Sequence, residues 1–90
     1  MAGGAPSSTR LTVLLFGPYQ DAMGGAASVD VQVHGEATAA AVLAAVGEQH
    51  AALRPLLGHA RLAINGAFAG AEAVVAVEDE LAMIGLVSGG

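Results

Sequence analysis

The residues best placed to do chemistry are the last two. Gly89 and Gly90 carry no Cβ, so their backbone can enter a channel too narrow for side chains, and the functional group they bring is the α-carboxylate of Gly90. A carboxylate resists nucleophiles until it is activated, for example as an acyl-adenylate, so such an end is a handle for another enzyme. Other candidates are weaker. His34, His50 and His59 lie 16 and 9 residues apart, on a strand end, a helix end and a loop, and read as surface histidines rather than a metal site. Glu78-Asp79-Glu80 is a run of carboxylates, but adjacent side chains diverge, so it reads as a solvated turn rather than an acid/base pair. No G-x-G-x-x-G, P-loop, H-E-x-x-H or G-x-S-x-G motif occurs. Without cysteine there is no thiolate chemistry, Cys-based zinc site or iron–sulfur cluster. Nothing in the side chains supports independent catalysis, and no bound cofactor is expected.

Composition narrows the partners. The 90 residues include three Arg, no Lys and eight Asp or Glu, a formal charge of −5. Three cations cannot neutralise a phosphate backbone, which argues against nucleic acid and for basic protein partners. The longest uncharged run, residues 37–47, is 11 residues, against about 20 needed to span a bilayer, so a cytoplasmic domain is expected. The apolar fraction of 54% is enough to build a core, and this length allows one domain.

The elements that must position the tail follow from periodicity. Residues 1–9 (MAGGAPSST) read as a flexible leader, 10–87 as the domain and 88–90 as a flexible Ser-Gly-Gly tail. Arg10–Phe16 has apolar side chains at both parities and predicts a central strand covered on much of both faces. Pro18–Met23 predicts a short helical turn. Ser28–His34 alternates without a break, Val29, Val31 and Val33 on one side, and predicts a strand with one wet face, paired to the first in a hairpin. Thr38 can cap a helix running to about His50, with Val42, Leu43 and Val46 in its apolar stripe and Gly47 weakening it. Pro55 ends regular helix, and Leu53, Leu56 and Leu57 are expected to cover the core as a tight turn. Ala60–Ala69 predicts a second hairpin around Asn65-Gly66, a pair that tolerates positive φ at both turn positions. Gly70–Val77 reads as an irregular connection, and Glu80–Val87 as the last strand.

One helix must then serve the whole sheet from a single face, with the two most apolar strands, the first and last, adjacent in the middle. That α+β arrangement, a mixed sheet with one main helix packed across one face, is the β-grasp, or ubiquitin-like roll. In the last strand, Leu81, Met83 and Val87 would face the helix, turning Ala82, Ile84 and Leu86 outward, where Phe68 could join Ile84 and Leu86 in an exposed docking patch.

The residues now resemble a known family. Leu14-Leu-Phe-Gly-Pro18, Thr38 opening an Ala/Leu helix, Ala63-Ile-Asn65 and Asp79-Glu-Leu-Ala-Met-Ile followed by Val87-Ser-Gly-Gly90 are similar to the small subunit of molybdopterin synthase and its MoaD/ThiS sulfur-carrier relatives. The resemblance implies a non-catalytic sulfur-donor subunit of a transferase complex. An ATP-dependent, E1-like activating enzyme adenylates Gly90, and sulfur replaces the adenylate to give a thiocarboxylate. The tail, with Ser88 and Gly89 threading a channel, delivers that sulfur in the large catalytic subunit to cyclic pyranopterin monophosphate, forming the molybdopterin dithiolene. Phe68 and Ile84 match apolar partner-docking positions, and the assembly is a heterotetramer. The chain departs from the family in having Gly85-Leu86 where two prolines are common. A carrier for thiamine or cysteine biosynthesis, and a ubiquitin-like modifier joined to target lysines, are the competing functions.

Overall fold

The computed structural model describes residues 8–85, and they form eight elements. Strand β1 spans Ser8–Leu15, helix α1 Pro18–Ala22, strand β2 Ser28–His34 and helix α2 Ala39–Gln49. A 3₁₀ helix covers Ala51–His59, followed by strands β3 (Ala60–Ile64), β4 (Ala67–Phe68) and β5 (Leu81–Gly85). The sheet order is β2-β1-β5-β3-β4. β1 is antiparallel to β2 and parallel to β5, while β3 is antiparallel to both β4 and β5. The expected β-grasp, with first and last strands paired at the centre, is the fold observed.

Period-two alternation builds the core. Leu11, Val13 and Leu15 of β1, Val29, Val31 and Val33 of β2, Leu62 of β3, and Leu81 and Met83 of β5 are buried on one face. Val42 and Val46 of α2 and Leu53 of the 3₁₀ helix close over them. Each such side chain contributes roughly 1.5–3 kcal/mol of transfer free energy.

α2 begins where Thr38 predicts, its Oγ1 accepting from Ala41 N–H at 3.1 Å. The next free donors at this helix start are closed by a distant loop: Ala39 N–H donates to Ala73 O at 2.8 Å and Ala40 N–H to Ala71 O at 3.0 Å. The stretch 70–77, irregular in the sequence, is thereby pinned to the helix start, with Val75 buried. Gly47 also has a tertiary reason. A Cβ there would sit 2.5 Å from Leu57 Cδ1, so glycine makes room for the Leu57 side chain against α2.

Four expectations are corrected. β1 is central but covered on one face: Thr12 is exposed and Leu14 half-buried on the other, because one layer of helix serves the sheet. β1 starts at Ser8, which pairs with His34, so Ser8 and Thr9 belong to the sheet and not to a leader over residues 1–9. Leu53, Leu56 and Leu57 lie in a nine-residue 3₁₀ helix rather than a tight turn. Pro55 lies within it, and it buries Leu53 fully while Leu56 and Leu57 stay at the rim. The last strand starts at Leu81, not Glu80. Leu86 and Val87 of that expected strand, and Ser88, Gly89 and Gly90, lie outside the described residues.

Candidate functional site

The face of the sheet away from α2 is open. Register sets a row across it: Ser28 faces Leu14, Leu14 neighbours Ala82, Ala82 faces Ala63, and Ala63 faces Phe68. Small residues in the middle of this row and larger ones at its sides make a shallow apolar groove lined by Leu14, Phe16, Ala63, Phe68, Ala82 and Ile84. Phe68 is 59% exposed and Phe16 52%, an arrangement that leaves both rings free to pack against something else. The structure therefore brings Phe68 and Ile84 together as the sequence predicts, and adds Phe16 and Leu14. The signal for those two was the parity of β1 itself, since residues 14 and 16 alternate with the buried Val13 and Leu15.

Hydrogen bonds hold one end of the groove. Asn65 and Gly66, at φ 52° and 85°, make the two-residue turn that returns β3 into β4. Asn65 Nδ2 donates to Asp79 Oδ1 at 2.9 Å, Asn65 Oδ1 accepts from Glu80 N–H at 2.9 Å, and Asn65 N–H donates to Glu80 O at 2.8 Å. Asp79 Oδ2 accepts from Ala76 N–H at 2.8 Å. These donors, the Ala76 amide first and then Asn65, hold the Asp79 carboxyl below the usual carboxylate range. Glu80 sits on the groove rim at this end. Near the opposite end the Arg61 guanidinium lies 5.6 Å from the centre of the Phe68 ring.

The other half of the open face is polar. Thr12 Oγ1 donates to Asp30 Oδ1 at 2.8 Å and Arg10 pairs with Asp30 Oδ2 at 3.0 Å, and these contacts, Thr12 foremost, lower the Asp30 pKa. This ion pair is solvent-exposed and contributes little to stability. Among the described residues no three His, Asp or Glu side chains come together to hold a metal. His50 instead approaches Asp30 O at 2.8 Å through Nε2, and the backbone carbonyl of His59 lies 3.5 Å from the Tyr19 hydroxyl. No helix among the described residues is long and apolar enough to cross a membrane.

A mixed five-strand sheet, one main helix on its inner face and an apolar groove on its outer face define a small ubiquitin-like β-grasp protein. Residues 13–90 match the ThiS family, and the chain belongs to it, among the ubiquitin-like sulfur carriers. Solved structures agree. SAMP1 from Haloferax volcanii is 30% identical, with a TM-score of 0.75 over 91% of this chain and 100% of that one. The small archaeal modifier protein 1 (SAMP1) from Methanosarcina acetivorans is 22% identical, with a TM-score of 0.71 over 93% of this chain and 99% of that one. A chain of the Amycolatopsis orientalis BexX/CysO complex is 24% identical, with a TM-score of 0.66 over 89% of this chain and 99% of that one. The last two likenesses carry the fold alone. No curated protein matches the chain.

Proposed function

We propose that this chain is the sulfur-carrier subunit of molybdopterin synthase. The supporting observation is the groove in which Phe16, from the Leu14–Pro18 block, lies beside Ile84 and Phe68 on the open side of β5, the strand that leads into the Gly90 end. In this reading an E1-like enzyme uses ATP to adenylate the Gly90 carboxylate. A sulfur nucleophile attacks the acyl carbon, AMP leaves, and Gly90 ends as a thiocarboxylate. The groove docks on the large catalytic subunit, Ser88 and Gly89 thread its channel, and the sulfur passes to cyclic pyranopterin monophosphate. The carrier contributes a tethered sulfur at high effective concentration, and the large subunit contributes the acid and base groups. Its charge of −5 favours encounter with a basic, anion-binding enzyme.

The test is intact-mass spectrometry after incubation with ATP, an activating enzyme and a sulfur source, where replacement of oxygen by sulfur adds about 16 Da. Thiocarboxylated protein mixed with the large subunit and the pterin precursor is expected to yield the dithiolene. A mass that never changes while a control carrier is processed overturns the reading. Mass gain without dithiolene moves the function to a carrier for another pathway, such as thiamine or cysteine biosynthesis. A second reading, protein modification, draws on the 30% identity to SAMP1, a small archaeal modifier protein. Covalent ladders on other proteins would favour it.

A further inference from the structure

The two edges of the sheet are finished differently. On β2, Leu15 N–H donates to Ala27 O at 2.8 Å, which sets the alternation so that Asp30 and Gln32 turn their N–H and C=O groups away from β1. The C-terminal end of α2 covers Gln32 and the Asp30 carbonyl. Gln49 Oε1 accepts from Gln32 N–H at 2.9 Å, Gln49 Nε2 donates to Gln32 O at 2.7 Å, and His50 Nε2 reaches Asp30 O. The Gln49 amide takes the place of a neighbouring peptide at Gln32, so the middle of this edge is closed to another chain.

β4 is the opposite case. Ala69 N–H donates to Leu62 O at 2.9 Å and Phe68 faces Ala63, so by the same alternation the N–H and C=O of Phe68 point away from β3. Among the described residues no side chain closes them. The Phe68 ring stands in the apolar groove, and Arg61 beside it makes no ion pair among the described residues.

We infer that β4 is the edge to which the large catalytic subunit adds a strand. An extended segment of that subunit pairs with the N–H and C=O of Phe68, sets an apolar side chain against its ring and brings a carboxylate to Arg61. The inference rests on the docking role given to the groove above. Continuity selects this occupant, because Phe68 shares the groove with Ile84 and Phe16, so edge and groove form one contact. Charge bears on it too: Arg61 lies beside the Phe68 ring and Glu80 on the groove rim, so a partner segment that sets an acidic side chain at Arg61 and a basic one at Glu80 would match both. A second copy of this chain would offer an equally short two-residue strand and bring a second Arg61 to the same seam.

The test is amide hydrogen exchange on isotope-labelled protein, free and then with the large synthase subunit. The Phe68 amide is expected to exchange fast in the free protein and at least about tenfold more slowly in the complex, while the Gln32 amide is protected in both. Replacing Phe68 by phenyllactate through semisynthesis keeps the ring and removes the N–H, and is expected to weaken binding by roughly three- to tenfold. A complex in which Phe68 exchanges as fast as in the free protein overturns the inference. So does unchanged affinity in the ester variant, or protection that grows with protein concentration in the absence of enzyme. Intact mass of the same protein after incubation with the activating enzyme, ATP and a sulfur source separates the two levels: thiocarboxylation and a complex with an unprotected Phe68 defeat the edge alone, whereas no complex with the large subunit defeats the docking reading with it.

Discussion

Gly85, the last described residue of β5, lies so close to the buried Tyr19 that a Cβ there would stand 2.9 Å from the phenolic oxygen and 3.3 Å from Cε2. Glycine at this position lets α1 seal the end of the sheet. Tyr19 keeps a long contact to His59 O, and burial raises its pKa. Gly85→Ala is expected to destabilise the protein by about 1–3 kcal/mol in urea titrations, as overpacking does. Tyr19→Phe in the same chain should recover part of that loss, and a double-mutant cycle with no coupling would refute the contact.

Gln49→Ala removes both side-chain bonds to Gln32. The expected loss is about 1–2 kcal/mol, with concentration-dependent self-association through the uncovered β2 edge. Urea unfolding and analytical ultracentrifugation check the two effects separately.

Acid should weaken the fold through Asp30 and Asp79, whose pKa values are lowered in the folded state. A depressed carboxylate pKa gives stability that is fully present above the unfolded value of about 3.9 and is lost as pH falls through the folded one. Melting temperature should therefore be insensitive to these two groups near neutral pH and decline below about pH 4. Asp79→Asn should flatten that decline, and an unchanged slope would remove Asp79 from the account.

Phe68→Ala or Ile84→Ala should weaken association with the tail-receiving enzyme by about 1–3 kcal/mol and leave the far-ultraviolet spectrum intact. Phe68 is the cleaner probe, because its ring is mostly exposed and packs outside the core cluster. Full affinity in both variants would place docking on another face.

One residue appended after Gly90 should abolish thiocarboxylation, since the acyl group to be activated would then be a peptide bond. Intact mass after incubation with the activating enzyme reads this directly. Sulfur incorporation into the extended chain would show that another group accepts it.

Local pattern made much of this legible. Asn65-Gly66 announced its turn and Thr38 its cap, and the alternation of Leu81 and Met83 with Ala82 and Ile84 sorted core from groove. The apolar residues Leu14 and Phe16 misled, because hydrophobicity alone does not distinguish a side chain meant for the core from one meant for a neighbour. Gln49, Gly47 and the loop over residues 70–77 were opaque for a different reason. Their roles are contacts with Gln32, with Leu57 and with the start of α2, each formed between segments whose own sequences carry no trace of the meeting.

The place of β5 in the strand order has a mechanical meaning. It lies between β1, to which it runs parallel, and β3, to which it runs antiparallel, so traction on whatever follows Gly85 loads hydrogen bonds along both sides in shear. An edge strand under the same pull would carry it on bonds along one side alone. Force applied at this end can therefore be borne without unravelling the body behind it.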